Sequence, residues 1–375
     1  VIDTILVLNA GSSSLKFQVF RSDDLSVLAR GKAVRLGEEA PTMDASLADG
    51  TRERVALQPA CDHDTALRAV LAFVDRHDDG WRMRAVAHRI VHGGESYAAP
   101  TVITPAVFDA LTRLSPLAPL HQPHNLAAVA AARRLLGAIP NIACFDTAFH
   151  ACHGPLTHHF ALEKSLRDQG IRRYGFHGLS YEWVASVLAE RHPVLHAGRV
   201  VAAHLGNGAS LCAISGGRSV DTTMGMTALD GLPMGTRCGA LDPGAMLYML
   251  QALGMSSEEV SAALYERSGL LGLSGLSNDV ETLLASDDPQ ARFALDYFAL
   301  KVAQFAAAMA AAMGGIDGLV FTGGIGEHAA PVRAAILERL RFLGDFEVQV
   351  IAANEERIMA MQASALLAEA GRASA

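Results

Sequence analysis

The sequence predicts an α/β protein built from two related domains that flank a cleft, and three observations lead there. Strand and helix patterns alternate along 375 residues, 50% of them hydrophobic and 19% charged, which is more chain than one compact core holds. The strand, Gly/Ser turn and strand of residues 5–20 (ILVLNAGSSSLKFQVF) recur as residues 199–217 (RVVAAHLGNGASLCAISGG). Glycines 323, 324 and 326 stand between a strand pattern and a helix start, where open α/β sheets receive ligands.

The elements follow in order. In the first hairpin Asn9, Gly11 and three serines supply turn geometry, while Leu15, Phe17 and Val19 alternate with Lys16 and Gln18 in a half-buried strand. Taken alone, this stretch favours a plain turn. Its hydroxyls, amides and one ammonium also suit a phosphate cradle. Short strands continue to about residue 60, and residues 64–77 show helical spacing with Asp64 at the N-cap. A strand over 84–94, a helix over 125–136 and a strand over 141–149 complete a first domain, residues 1–150, which a helix over about 358–375 rejoins. The second domain, 151–357, carries the repeated hairpin, a helix over 291–313, a strand over 318–322, the loop 323–328, a helix over 329–339 and a strand over 346–353.

Composition narrows the function classes. A formal net charge of −8 without a long basic run argues against nucleic acid or an anionic membrane surface as partner. No uninterrupted apolar run reaches the roughly 18 residues of a membrane span, and the first residues lack a signal-peptide pattern. Cys61, Cys144, Cys152, Cys212 and Cys238 are scattered without C-x-x-C spacing, as reduced thiols of a cytoplasmic protein are. The histidines between His88 and His177 fit no compact zinc signature.

Neither a P-loop nor a complete G-x-G-x-x-G occurs. Arg89 and Arg237 stand beside glycine-rich turns, where a planar guanidinium suits carboxylate or phosphoryl oxygens better than it suits a surface ion pair. His177 lies between Gly175 and Gly178 in RRYGFHGLS, a site-like loop. Asp146 ends a strand pattern, either as an inward carboxylate or as a cap. Glu355 reads equally as a first-turn helix residue behind Asn354 and as a functional carboxylate.

Taken together, LNAGSSSLKF, HRIVHGGE, LAPLHQPHN, FDTAFH, RRYGFHG, HLGNGASLCAISGG, MGTRCGALDP, SGLSND, FTGGIGE and NEE occur in an order that resembles the acetate and propionate kinase family, within the sugar kinase, Hsp70 and actin superfamily. The resemblance spans about residue 5 to 360. It implies two ribonuclease-H-like domains of the actin, hexokinase and Hsp70 type around a nucleotide cleft. The activity implied is reversible, in-line phosphoryl transfer from ATP to acetate, giving acetyl phosphate and ADP, with Mg²⁺ as cofactor and Mn²⁺ as an alternative. The implied partners are small molecules and a second copy of the chain in a cytoplasmic homodimer.

Residue by residue, the resemblance implies catalytic roles for Arg89, Asp146, His177 and Arg237, and metal contacts for Asn9 and Glu355. Val91, Leu120, His121, Phe176 and Ala228, with Arg89, form the implied acceptor pocket. Ser12, Ser14, Lys16, His204, Asn207, Gly208, Asp279, Gly324, Ile325 and Gly326 are the implied nucleotide contacts. Chemistry agrees with an acid as acceptor: a carboxylate is already ionised, so the site needs cations rather than a general base. A sugar kinase would instead use Asp146 as base. Other readings are a propionate or broader short-chain fatty-acid kinase and, in a different class, a non-enzymatic ATP switch, for which Arg89, Arg237 and His177 have no purpose.

The chain departs from the family at several places. Residues 226–228 read MTA where Phe-Thr-Pro is usual, so Ala228 removes a ring from the acceptor wall. His328 replaces a usual Asn, Glu281 a usual Arg, and Ala352-Ala353 a usual Pro-Thr after a shortened segment.

Overall fold

The computed structural model describes residues 1–77 and 80–373. The chain divides into two compact units, Val1–Ala148 with Asn354–Ala375, and Phe149–Ala353. In the first, β1 (Ile2–Ala10), β2 (Ser14–Arg21), β3 (Val27–Val34), β4 (Thr42–Leu47), β5 (Arg52–Ala56), β6 (Trp81–Ile90), β7 (Thr101–Val102) and β8 (Asn141–Phe145) form one sheet. Its order is β5-β4-β3-β2-β1-β6-β8-β7. The predicted alternation is what packs it: Leu15, Phe17 and Val19 are buried with Leu67, Val70 and Phe73 of the helix His63–Arg76, and Lys16 projects from the opposite face. Each such large side chain contributes about 1.5–3 kcal/mol.

The second unit repeats the plan. β9 (Arg199–Leu205), β10 (Ala209–Ser215), β11 (Arg218–Thr222), β12 (Gly318–Thr322) and β13 (Glu347–Val350) pair in the order β11-β10-β9-β12-β13. In both units an antiparallel three-strand meander continues through its first strand into two parallel strands: β3-β2-β1-β6-β8 matches β11-β10-β9-β12-β13. That duplicated order is the ribonuclease-H-like plan expected from the sequence.

Several element ends differ from expectation. Asp62, not Asp64, caps the first helix by accepting the Thr65 N–H at 2.9 Å, and Asp64 sits in its first turn. β6 stops at Ile90 because the next amides leave the ladder: Val91 N–H donates to Asn125, His92 N–H to Gln122 and Gly93 N–H to Thr147. The helix expected over 125–136 starts at Gln122, with Pro123 in the first turn, where a missing N–H costs little. β8 ends at Phe145, and β13 keeps only Glu347–Val350 of the expected 346–353. Residues 323–328 are a helical turn rather than a loop, entered through Gly323 at φ 78, where a Cβ would meet the Leu205 carbonyl oxygen at 2.7 Å.

The helix expected over 291–313 starts at Pro289, behind the Asp288 N-cap, and runs to Met313. By length and composition alone it could cross a membrane. Its Ala291, Ala294, Phe298, Val302 and Ala306 are buried, and it packs on β9, β10 and β11, as a core helix does.

His88, His92 and His150 are buried as neutral rings, each at most 1% exposed. Burial lowers the pKa of each from 6.5 to about 4. Between those values the unfolded chain binds more protons, so this stability is complete above pH 6.5 and is lost as pH falls towards 4. The expected cost is about 1.4 kcal/mol per histidine per pH unit. Melting followed from pH 7 to pH 5 should show Tm falling, and His150→Gln should flatten that slope.

Candidate active site

In the first unit the carboxyl ends of the parallel strands β1, β6 and β8 carry the polar groups. Asn9 lies opposite Lys16 in the β1–β2 hairpin, and its Nδ2 donates to Glu356 Oε1 at 3.4 Å. The turn is closed by Gly11 N–H donating to the Ser14 carbonyl at 2.8 Å, with Ser12 exposed and Ser14 half-buried. Exposed Lys16 lines a concavity of about 720 Å³ with Arg30, Lys32 and Glu356.

Asp146 follows β8 directly, and its N–H donates to the Ile90 carbonyl at 3.1 Å. Its carboxylate, 2% exposed, holds Arg89 through Nη2 at 2.7 Å and Nε at 3.0 Å. Burial would lower the Arg89 pKa, but the Asp146 carboxylate, helped by Glu355 and Glu356, raises it instead. Arg89 is therefore a fixed cation set among three carboxylates. Behind it, Asn125 accepts the Val91 N–H at 3.0 Å and donates to the Ala10 carbonyl at 2.7 Å, tying the first hairpin to the end of β6. Val91 is buried, Leu120 is 42% exposed, and His121 is the N-cap residue of the helix Gln122–Leu136. Glu355 opens the terminal helix Glu355–Ala373, where Asn354 Oδ1 accepts the Arg357 N–H at 3.2 Å.

The second unit places imidazoles and glycines at the equivalent hairpin. His177 and His204 lie side by side with ring centroids 4.4 Å apart and planes inclined at 33°, and their Nδ1 atoms meet Ser210 Oγ and Ser180 Oγ, each at 2.8 Å. His177 has φ 57 and ψ 22, a left-handed conformation that a non-glycine residue adopts at a cost. Arg237 Nη1 donates to the Ala228 carbonyl at 2.9 Å, and Phe176 is buried. Gly206, Asn207, Asp279, Gly324 and Ile325 line one concavity of about 510 Å³, together with Glu281 and His328. Gly208 lies beside the His177 ring, and Gly326 is buried under the helical turn. Asp279 also caps its helix: bonds from the Thr282 hydroxyl and N–H hold its pKa below the usual carboxylate value.

The family model described as the acetokinase family matches residues 4–368. The chain belongs to the acetokinase family. An acetate kinase of Rhodopseudomonas palustris is 47% identical over 348 residues, covering 91% of this chain and 87% of that one. Among solved structures, a propionate kinase from Francisella tularensis superposes with a TM-score of 0.90 at 33% identity, covering 96% of this chain and 99% of that one. An acetate kinase from Porphyromonas gingivalis gives 0.86 at 32% identity, with 97% and 100% covered.

Within this acetokinase the residues expected at the site fall into two groups. Asn9, Ser12, Ser14, Lys16, Arg89, Val91, Leu120, His121, Asp146 and Glu355 belong to the first unit. Phe176, His177, His204, Asn207, Gly208, Ala228, Arg237, Asp279, Gly324, Ile325 and Gly326 belong to the second. Sequence reading missed Glu356, the carboxylate that meets Asn9, and Asn125, the amide that joins two site segments. The only signal for them was their place in the NEE and HQPHN motifs.

Proposed function

We propose that this acetokinase transfers a phosphoryl group reversibly from ATP to acetate, giving acetyl phosphate and ADP by direct in-line displacement. The grip of Asp146 on Arg89 carries the reading. Both oxygens of that carboxylate accept from one guanidinium, and an acid substrate needs no general base. Arg89 would bind the acceptor carboxylate, while Arg237 and His177 would donate to the phosphoryl oxygens as charge spreads over them. Ser12, Ser14 and Lys16 would meet the phosphates from one hairpin and His204, Asn207 and Gly208 from the other. Asp279, Gly324, Ile325 and Gly326 would bracket the nucleoside. Glu281 and His328 line the same concavity, so base preference would depart from that of relatives with Arg and Asn there.

The oxygen donors fit a magnesium ion. Asn9 and Glu356 are adjacent, Glu355 is the next carboxylate, and Mg²⁺ takes one or two carboxylates plus phosphate oxygens rather than a full protein cage. Among the described residues no group of three or more His, Cys, Asp or Glu could hold a metal alone, in keeping with a metal that arrives on the nucleotide. When bound, the ion neutralises phosphate charge.

The test is a hydroxamate assay with MgATP and acetate, propionate or butyrate. Acyl phosphate from acetate is expected; none from any acid would refute the reading. The similarity to a propionate kinase and the small Ala228 side chain both favour tolerance of propionate. Ala228→Pro keeps the carbonyl that holds Arg237 while refilling the pocket wall. It should lower kcat/KM for propionate relative to acetate several-fold, since one methylene is worth about 1–3 kcal/mol. An unchanged ratio would remove Ala228 from the specificity pocket.

A homodimer through the second unit has support in the helix Pro243–Gln251, which has no buried residue and exposes Met246, Leu247 and Tyr248. The five free cysteines support the reducing cytoplasm.

A further inference from the structure

We propose that Tyr181 and Ser210 are positioning residues that hold His177 in one tautomer, with Nδ1 accepting and the proton on Nε2. The proposal deepens the reading of His177 as a donor to the phosphoryl group. It stands on a chain of hydrogen bonds that runs from the Tyr181 hydroxyl through Ser210 Oγ to His177 Nδ1.

Tyr181 is fully buried, and its hydroxyl meets Ser210 Oγ. Burial raises its pKa well above the usual value, so the phenol keeps its proton. In the relay the phenol hydrogen is directed at Ser210 Oγ. Ser210, also fully buried, receives that hydrogen and turns its own toward His177 Nδ1 at 2.8 Å. A ring whose Nδ1 accepts a hydrogen bond while neutral carries its proton on Nε2. Without the relay, the serine hydroxyl could either donate to Nδ1 or accept from it.

The backbone reinforces the ring. His177 is the N-cap residue of the helix Gly178–Arg191, held left-handed, and the Tyr181 N–H donates to its carbonyl at 3.1 Å. Tyr181 thus grips His177 twice, through the main chain and through Ser210. The neighbouring Ser180 meets His204 Nδ1, so consecutive residues of one helical turn attend both rings. Tautomer matters to a neutral imidazole donor, because only one nitrogen can point at the reacting group.

The relay is tested on the full-length protein without substrate, labelled with ¹⁵N at histidine, with the His177 ring signals assigned by their loss in His177→Gln. In the wild type the Nδ1 and Nε2 resonances should lie at the wide separation of a single Nε2–H tautomer. In Ser210→Ala and Tyr181→Phe they should draw together as the tautomers mix, and kcat should fall about ten- to a hundredfold with KM for ATP within twofold. Tyr181→Phe preserves the buried ring volume, so it carries the test if Ser210→Ala fails to fold. A proton on Nδ1 in the wild type, or an unchanged separation in the folded variants, would overturn the proposal. The spectrum needs no turnover: an inactive wild type with the expected spectrum would defeat the activity reading and leave the relay standing.

Discussion

Arg89→Ala is expected to reduce kcat/KM for acetate by at least a thousandfold and also to destabilise the first unit. The guanidinium is the counter-charge of Asp146, which is 2% exposed, and it is also flanked by Glu355 and Glu356. Removing one partner of a buried ion pair leaves an uncompensated charge, a loss on the order of 3–5 kcal/mol. The two effects separate in the double variant Arg89→Ala with Asp146→Asn, which removes the stranded charge. Denaturant melts should recover most of the lost stability, while acyl phosphate formation should stay at the single-variant level. Recovery of activity along with stability would mean that Arg89 only supports the fold. Arg89→Lys should recover part of the stability and little of the rate, because an ammonium cannot span both carboxylate oxygens.

The duplicated fold puts different chemistry on equivalent hairpins. In the first unit β1 and β2 end in an amide, hydroxyls and an ammonium, beside a cation locked by Asp146. In the second, β9 and β10 are joined by glycines and Asn207, beside a pair of imidazoles held by serines. The first set suits an anionic acceptor and phosphoryl oxygens. The second offers close main-chain approach and imidazole nitrogens, which would suit phosphate oxygens.

Much of this was legible in the sequence wherever one periodicity decided the outcome. The alternation Leu15, Lys16, Phe17 fixed which side chains are buried, and the repeated hairpin announced the second unit. Legibility failed where a side chain replaced a ladder bond. Nothing local in VHGG shows that the Val91 and His92 amides turn to Asn125 and Gln122, more than 25 residues onward. Nor can NEE say which glutamate faces Asn9. Glu355 and Glu356 are adjacent on one helix, so the choice depends on helix phase, which packing of Ile358, Met359 and Ala360 sets. Asp146 lay between these cases: its place after a buried strand was readable, its engagement by Arg89 was not.

Arg237→Ala should lower kcat by about a thousandfold while leaving KM for ATP within threefold, the range expected of a cation that acts on the transferring phosphoryl group. Its Nη1 donates to the Ala228 carbonyl, 2.9 Å away, and lies 3.6 Å from Met234 Sδ, both neutral partners. The main-chain bond from Met234 N–H to the Arg237 carbonyl, which shapes the loop, survives truncation of the side chain. Loss of the bond to the Ala228 carbonyl should cost about 1 kcal/mol, the scale of an ordinary hydrogen bond. Steady-state kinetics with ATP and acetate varied in turn, beside a denaturant melt, read both quantities. A raised KM for ATP at unchanged kcat would reassign Arg237 to ground-state nucleotide binding, because a contact equally strong before and during transfer cannot alter the chemical step.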